Sequence, residues 1–442
     1  MKQLPLVQPT PEQIPLLSGT RFGYEVIRGA AGSGKTSTAI LRLKSLAFTF
    51  EERRKREGSK NPVRILVLTF NKTLRGYVNQ LVEAQTSTFE NTVVDIETYA
   101  KWALEALDRP AMVDQSDAEI KIKELSADIA PLARAFVARE VEYLLGRFPV
   151  ESLEQYLTTE RTGRGAVPRV DRNLRLRILN DVVEPYQKWL LSKQLWDWND
   201  LAIAMARAKG VPKYDVIIVD ETQDFSANQL RSLHGHLATP FAVTFVIDSV
   251  QRLYARGFSW TEAGLPQNTQ YHSLRDNHRN TTEIAAFAAG VLADMPADTD
   301  GNLPDFKNTK RSGSKPVVLR GLYGKQLDWA IEFIRHSVDL KTESVAFLSP
   351  TGWSIFAKRR LDAANLPYVD ITKQRDWPDG DENVAFSTFH SAKGLEFDHV
   401  FIIGLSNENT AHGDDTVDDR LTTLRRSLAV AIGRARNSLH RL

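Results

Sequence analysis

The sequence predicts an α/β protein with two parallel-sheet domains and a helical insertion in the first of them. Apolar, β-branched runs alternate with helix-like segments, and this alternation is typical of parallel sheets covered by helices. The runs are too numerous for one sheet domain in a chain of 442 residues. Between residues 95 and 200 the pattern is helical with few strand candidates, which indicates the insertion.

Eight apolar runs have the composition of buried strands. They lie at residues 24–28, 64–70, 216–220, 241–248, 317–320, 344–348, 384–387 and 399–404. We therefore assign residues 1–94 and 201–277 to the first sheet domain, residues 95–200 to the insertion and residues 278–442 to the second sheet domain.

The composition excludes several classes of site. The chain has no cysteine, so disulfides, thiolate catalysis and cysteine-rich metal sites are excluded. The N-terminus lacks a charged start followed by an apolar segment, and no run is long enough to span a membrane, so we expect a cytoplasmic protein. The net charge of +2 does not decide whether nucleic acid is a partner, because basic groups can be concentrated in one groove.

The segment GAAGSGKT fits the P-loop pattern and lies between a strand-like run and a helix-like run. Its glycines let backbone amides approach phosphate oxygens, and the N-terminus of the helix adds partial positive charge. Lys35 is expected to bind the β- and γ-phosphates, and the Thr36 hydroxyl is expected to bind Mg²⁺. The predicted phosphate site comprises Gly29, Ala30, Ala31, Gly32, Ser33, Gly34, Lys35 and Thr36.

The segment VIIVDETQD supplies an apolar strand that ends in carboxylates. Asp220 is expected to hold Mg²⁺, and Glu221 is expected to position and deprotonate an attacking water. Acidic residues after a buried strand are often only solvated strand ends. Their occurrence together with a P-loop favours a site for nucleotide hydrolysis.

With the motifs further along the chain, the DETQD string resembles the UvrD/Rep branch of superfamily one helicases, and the resemblance runs nearly from end to end. It implies two RecA-like P-loop motor domains that bind ATP and Mg²⁺ between them. The matching segments are TPEQ, VIDSVQRLY, LRDNHRN, HSAKGLEF and RRSLAVAIGRAR. The resemblance implies that Gln13 reads adenine, that Gln251 belongs to the coupling motif, that Arg279 and Arg434 reach the γ-phosphate, and that Glu396 contacts the ribose.

The resemblance also implies a DNA-binding surface. The segments LTFNKTL and STFHSAKGLEF match parts of the family that contact DNA or couple it to the ATP site, and aromatic side chains stack on the bases. The expected DNA-binding residues are Thr69, Phe70, Asn71, Lys72, Tyr99, Phe258, Trp260, Thr388, His390 and Lys393. The sequence departs from the family at Ile247, where glycine is usual, at His278, where tyrosine is usual, and at Gly433, where threonine is usual.

The helical insertion contains two further features. DWNDL, at residues 197–201, resembles the acidic and aromatic string that precedes the DExQD strand. Six arginines are close in sequence, and they form either an edge that contacts phosphates or a solvated face: Arg161, Arg164, Arg169, Arg172, Arg175 and Arg177. The interval from residue 280 to residue 387 is only long enough to complete the second sheet domain, so the second accessory domain of larger relatives is expected to be absent.

The function that the resemblance implies is ATP-dependent movement of a monomer on single-stranded DNA or at junctions with duplex. The expected direction is 3′ to 5′, in DNA repair, recombination or replication. Three alternatives stay open. One is an RNA-directed motor of the Upf-like branch, which the AKGLEFD segment disfavours. Another is a nucleotide-gated DNA-binding regulatory protein, which the residues Ile247 and Gly433 suggest, and the third is a translocase that does not separate long duplexes.

Overall fold

The structure, a computed structural model, contains two six-stranded parallel sheets and a separate cluster of helices. It describes residues 9–19, 21–29, 32–69, 75, 78–79, 82, 89, 91–161, 168–248, 258–293, 309–350, 354–372, 378, 380–406 and 420–442. None of the helices within these ranges is long and apolar enough to cross a membrane.

All eight predicted runs coincide with strands, and the predicted α/β class with parallel sheets is confirmed. The strands are β1 Gly23–Gly29, β2 Val63–Thr69, β3 Thr92–Thr98, β4 Tyr214–Val219, β5 Leu237–Asp248, β6 Gln270–Leu274, β7 Asn277–Thr281, β8 Thr309–Arg311, β9 Val317–Val318, β10 Val345–Ser349, β11 Val369–Asp370, β12 Val384–Thr388, β13 Phe397–Ile402 and β14 Ala435–Arg441.

The helices cover both faces of the two sheets and form the insertion. They are α1 Ile14–Ser18, α2 Lys35–Arg56, α3 Tyr99–Ala106, α4 Gln115–Leu125, α5 Arg134–Arg147, α6 Arg172–Arg177, α7 Glu184–Lys193, α8 Trp198–Arg207, α9 Ala227–His234, α10 Thr282–Val291, α11 Tyr323–Ser337, α12 Ile355–Ala363 and α13 Arg420–Ile432.

The first sheet has the strand order β3-β2-β4-β5-β1-β6, with every neighbouring pair parallel. Helix α2 packs on one face, and helices α3, α8 and α9 pack on the other. Since only β5 separates β1 from β4, the segments that follow these two strands emerge at the same edge of the sheet, close to each other. This order positions the P-loop beside the carboxylates of the DETQD segment.

Two strands of the first sheet, β3 and β6, are missing from the predicted runs. Both lie at sheet edges and bury only part of their length, so their polar residues interrupt the apolar pattern. Strand β3 continues through the predicted domain boundary at residues 94 and 95, and Tyr99 and Trp102 of α3 pack into the core of the same sheet. The first sheet unit therefore extends at least to α3.

The insertion has its own hydrophobic core. Val141, Leu144, Tyr156 and Val182 are among the buried residues of a cluster separate from those of the sheets. Helix α8, which follows the insertion, begins at the DWNDL segment, where the Asp197 carboxylate accepts hydrogen bonds from the next turn in a capping box. The matched acidic string thus starts the helix that returns the chain to the first sheet.

The second sheet has the order β11-β12-β10-β13-β14-β9 and is also entirely parallel. Helices α11 and α12 cover one face. On the other face, residues of α10 and α13 belong to a hydrophobic cluster that also includes α2 and the first sheet. The two sheet units therefore share one continuous apolar contact region.

The imidazole of His440 in β14 is buried among aromatic rings. Its ring centroid lies 4.4 Å from that of Phe333 and 4.8 Å from that of Phe401. Its Nε2 is 2.8 Å from the Ser438 hydroxyl, which is also 2.8 Å from Nδ1 of His399. Burial, with a contribution from the nearby His399, lowers the pKa of His440 to about 4.

Because the unfolded chain binds a proton at His440 more readily, the free energy of unfolding is expected to fall as the pH drops from 6.5 to 4. The full loss from this group is about 3 kcal/mol. Urea unfolding at several pH values gives the free energy of unfolding as a function of pH. The loss is measured as the difference between the slopes of the wild type and of His440→Gln. The exposed His336 on α11 supplies a matched control, since His336→Gln should keep the wild-type slope. Equal slopes for wild type and His440→Gln would contradict the prediction.

Candidate nucleotide site between the sheets

The loop between β1 and α2 has the close-packed geometry of a phosphate-binding loop. Gly32 and Gly34 have φ values of 81° and 75°, in the left-handed region that glycine adopts without strain. A Cβ on Gly29 would lie 2.4 Å from Oγ of Ser33. Helix α2 begins directly after Gly34, so Lys35 occupies its first position. The loop therefore directs the N-terminus of a 22-residue helix toward the edge of the sheet.

Gln13 lies against this loop. Its side-chain Nε2 is within 3.3 Å of the Ser33 carbonyl oxygen and 3.4 Å of the Gly34 carbonyl oxygen. Its Oε1 accepts a hydrogen bond from the Thr10 amide at 2.9 Å. The buried guanidinium of Arg42 in α2 donates to backbone carbonyls in and just after α1. The N-terminal turn is thereby fixed beside the P-loop, where the predicted adenine contact requires it.

The P-loop and the DETQD segment meet through Thr36 and Asp220. The Thr36 hydroxyl donates to Oδ2 of Asp220 at 2.9 Å, and Oδ1 of Asp220 accepts from the Glu221 amide at 2.9 Å. Burial and the adjacent Glu221 carboxylate raise the pKa of Asp220 to about 7, although Thr36 and Lys35 act in the opposite direction. Glu221 itself has φ 52°, which is uncommon outside glycine and typical of functional turns.

The oxygen atoms of Thr36 and Asp220 suit Mg²⁺, which prefers oxygen ligands. Within the described ranges, no group of three or more histidine, aspartate or glutamate side chains is arranged to hold a metal ion. In a magnesium site here, Thr36 and Asp220 would supply ligands from the protein, and phosphate and water would supply others. That sharing is usual for Mg²⁺ bound with a nucleotide.

Basic side chains of the second sheet unit reach these carboxylates. Lys393 is completely buried, and its Nζ forms an ion pair with Asp224 and lies 3.4 Å from Oε2 of Glu221. Burial alone would raise the pKa of Glu221, but the positive charges of Lys393, Arg434 and Lys35 lower it. Glu221 is thus held as a carboxylate between cations from both sheet units.

Arg279 and Arg434 lie at the same cleft. Arg279 forms an ion pair with Glu396, and its Nη1 is 3.5 Å from the Gly433 carbonyl oxygen. Burial opposes ionisation of Glu396, but Arg279 above all lowers its pKa. Arg434 is buried, and its Nε donates to the Val430 carbonyl oxygen at 3.1 Å. The structure therefore brings together the two arginines and the glutamate that the sequence places in different motifs.

The structure corrects the predicted DNA contact of Tyr99. Its side chain is buried in the core of the first sheet, where its hydroxyl is 2.8 Å from Oγ of Ser232 and its ring packs against Trp102. A ring that is buried in this way has no exposed face on which a DNA base could stack. Phe258 and Trp260 pack against the same core but are only half-buried, so a stacking role for these two residues stays a prediction.

The side chains of Thr69 and Lys393 are also fully buried, which corrects their predicted contact with DNA. Lys393 instead contacts the carboxylates of Glu221 and Asp224, which agrees with a role in coupling the DNA surface to the ATP site. At the end of β12, the Thr388 hydroxyl accepts from the Ser391 amide at 3.1 Å, and His390 is exposed on the same turn. The predicted DNA contacts of Thr388 and His390 stay predictions.

Part of the arginine-rich stretch stabilises the insertion itself, which corrects the idea of one phosphate-contacting edge. Arg161 contacts both carboxylate oxygens of the buried Glu140, at 2.6 Å and 2.8 Å. Arg175 donates to three backbone carbonyls, at 2.8 Å, 2.7 Å and 3.2 Å. Of the others, Arg169 and Arg172 are exposed, Arg177 contacts the backbone at Asp128, and Arg164 lies outside the described residues.

Some predicted residues lie outside the described ranges, and their roles stay predictions. They are Ala30, Ala31, Phe70, Asn71, Lys72 and Gln251. Three residues that the structure places at the cleft have no role predicted from the sequence: Asp224, Asn277 and Asn280. Asp224 is the last acidic residue of DETQD and belongs to the same short motif as Glu221, so the motif itself indicates that Asp224 lies in the site. The two asparagines give no such signal, because the sequence does not reveal that they are buried.

Two protein-family descriptions match this chain. Residues 20–263 match the family described as UvrD/REP helicase N-terminal domain, and residues 364–440 match UvrD-like helicase C-terminal domain. A protein of Mycoplasma pneumoniae described as a probable DNA helicase is 22% identical over 445 residues, covering 94% of this chain and 80% of that protein. The crystal structure of the C-terminal domain of a possible DNA helicase from Lactobacillus plantarum covers 37% of this chain and 85% of that chain, at 20% identity and a TM-score of 0.28.

Proposed function

Because this chain belongs to the UvrD/Rep helicase family, we propose that it is an ATP-driven motor that moves on single-stranded DNA. The observation that carries the proposal is the meeting of carboxylates from one sheet unit with cations from the other. Lys393 lies 3.4 Å from Glu221, and Arg434 contributes to lowering the pKa of the same carboxylate. A nucleotide bound at the P-loop would contact groups from both units.

The chain's own residues have distinct tasks in hydrolysis. The loop amides and Lys35 bind the phosphates, and Thr36 and Asp220 would hold Mg²⁺, which would supply charge neutralisation at the phosphate oxygens. Glu221 orients the attacking water and accepts its proton. Arg279 and Arg434 stabilise the charge that develops on the transferred phosphoryl group. Since these two arginines come from the second unit, hydrolysis requires the units to close.

Closure also accounts for movement along DNA. The candidate contacts Thr388 and His390 belong to the second unit, whereas Phe258 packs on the first. Each cycle of binding and hydrolysis would change the distance between these surfaces, so the protein would step along the strand. Movement from 3′ to 5′ and a role in repair, recombination or replication are part of the proposal, as the family resemblance implies.

A second candidate function is a nucleotide-gated DNA-binding regulator with weak or partner-dependent motor activity. The observation that favours it is the pairing of the cleft cations with carboxylates of the protein. Arg279 pairs with Glu396, and Lys393 pairs with Asp224. A nucleotide that binds Arg279 must exchange the ion pair with Glu396 for contacts with phosphate, and a large cost of that exchange would leave hydrolysis slow.

The ATPase rate measured with single-stranded DNA, single-stranded RNA and blunt duplex DNA tests the proposal. All reactions need the same low salt concentration, because phosphate contacts weaken as salt rises. We expect strong stimulation by single-stranded DNA and weak stimulation by the other two. Stimulation by RNA alone would indicate an RNA-directed motor. ATP binding without stimulation by any nucleic acid would favour the regulator.

Movement without unwinding needs a separate measurement. Displacement of streptavidin from biotin at the 5′ end of a single strand, but not at the 3′ end, is expected for a 3′-to-5′ motor. The same protein is then assayed on a duplex with a 3′ single-stranded tail. Streptavidin displacement without duplex separation would identify a translocase rather than a helicase.

A further inference from the structure

We propose that Asn280 is a positioning residue that fixes the backbone around Arg434 and, with Asn277, makes its position depend on the P-loop. The inference rests on the proposed ATPase function and adds two residues to which no role has been assigned. Both asparagine side chains are completely buried and lie in the segment that joins the two sheet units.

The side-chain amide of Asn280 bridges the carbonyl groups of the two residues that flank Arg434. Its Nδ2 donates to the Gly433 carbonyl oxygen at 3.2 Å and to the Ala435 carbonyl oxygen at 2.6 Å. Its Oδ1 accepts from Nδ2 of Asn277 at 3.0 Å. Both donor hydrogens of Asn280 are therefore used, and a shift of the Arg434 backbone would leave a buried donor without a partner.

Asn277 connects this amide to the other arginine. Its Oδ1 accepts from the backbone amides of Arg279 at 3.0 Å and of Asn280 at 3.1 Å. One buried side chain therefore holds the start of the segment that carries Arg279, while its Nδ2 orients Asn280. The positions of Arg279 and Arg434 are set by the same pair of amides.

The P-loop contacts this pair directly. The His278 amide donates to the Gly32 carbonyl oxygen at 3.0 Å. A Cβ on Gly32 would lie 2.2 Å from Oδ1 of Asn277 and 2.7 Å from Cβ of Arg279, so only glycine lets the loop approach this closely. A movement of the loop on phosphate binding would thus be passed to Asn277 by direct contact.

The N-terminal turn adds a second attachment between the loop and this segment. Oε2 of Glu12 accepts from the backbone amides of Arg275 at 3.1 Å and Asp276 at 3.4 Å. The next residue, Gln13, contacts the P-loop through its side chain. Hydrogen bonds to Glu12 and Gly32 therefore hold the joining segment against the P-loop region. Buried hydrogen bonds connect the same segment to Arg279 and to the backbone around Arg434.

Asn280→Asp tests the inference, since aspartate keeps the shape of asparagine but removes both donors. We expect kcat of the DNA-stimulated ATPase to fall at least tenfold, while KM for ATP and Kd for single-stranded DNA stay within threefold of wild type. Asn280→Ser, whose shorter side chain reaches at most one of the carbonyls, is expected to lower kcat by a smaller factor. If the aspartate variant does not fold, the serine variant decides the question.

Asn383 provides a matched control in the same sheet unit. It is also buried, and its Nδ2 donates to the Leu340 carbonyl oxygen at 2.7 Å, just before β12 and away from the cleft. Asn383→Asp is expected to lower the melting temperature without lowering kcat. The inference is overturned if the folded Asn280 variant used for the decision keeps kcat within twofold of wild type, or if its kcat loss matches that of Asn383→Asp. A wild type without ATPase activity would instead contradict the proposed function.

Discussion

Lys35→Ala is expected to abolish ATP turnover without unfolding the protein. Lys35 begins α2 directly after the P-loop, and its charge acts on both Asp220 and Glu221. Removal of the cation expected to bind the phosphates withdraws charge stabilisation beside buried carboxylates, and a loss of about 10²- to 10³-fold in kcat is typical for one such donor. The measurement is the ATPase rate at saturating single-stranded DNA, with the melting temperature as a test of folding.

Lys44→Ala is the matched control for this prediction. Lys44 lies on the same helix but is exposed to solvent. We expect the Lys44 variant to hydrolyse ATP at the wild-type rate and to melt at the wild-type temperature. Normal turnover in a folded Lys35 variant would contradict the assignment of the P-loop as the catalytic phosphate site.

Glu221→Gln is expected to keep ATP binding but leave the bound nucleotide unhydrolysed. Glutamine keeps the size of the side chain but cannot accept the proton of the attacking water, and loss of a general base lowers kcat by about 10²- to 10⁴-fold. Lys393 should stay in place, because it retains its ion pair with Asp224. Equilibrium binding of a fluorescent ATP analogue and single-turnover hydrolysis measure the two effects separately.

Asp215→Asn separates the catalytic effect from loss of a buried carboxylate. Asp215 lies at the opposite end of the same strand, β4, where it accepts from Arg54 at 2.8 Å and from the Arg64 amide at 2.9 Å. We expect its variant to lose stability but to retain single-turnover hydrolysis. If Glu221→Gln hydrolyses ATP at the wild-type rate, another group must act as the base.

The parts of the fold that the sequence predicts are those that are buried on both faces or that require special backbone geometry. Strands β4 and β10 are completely buried and read as continuous apolar runs, whereas the edge strands β3 and β6 do not. The P-loop is recognisable because glycines at fixed spacing have a local conformational cause. Thr36 is recognisable from its place at the end of the P-loop motif, and Asp220 from its place at the end of an apolar strand. The contact between them is visible only in the structure.

The roles of the remaining site residues depend on partners that are distant in the chain. Aromatic Tyr99 and basic Lys393 are of the residue types expected to contact DNA. However, helices packed on the first sheet enclose Tyr99, and Lys393 pairs with Asp224, which lies 169 residues away in the chain. Burial and pairing of this kind follow from the way separate segments pack together.

By itself, the sequence therefore determined the α/β class, the phosphate loop and the carboxylate strand, because these follow from local periodicity and local backbone geometry. Only the tertiary structure decided which polar side chains are buried at the cleft and what they contact. The amides of Asn277 and Asn280 are the plainest case, since a buried amide is recognised by its hydrogen-bond partners, and the carbonyl partners of Asn280 lie 153 and 155 residues further along the chain.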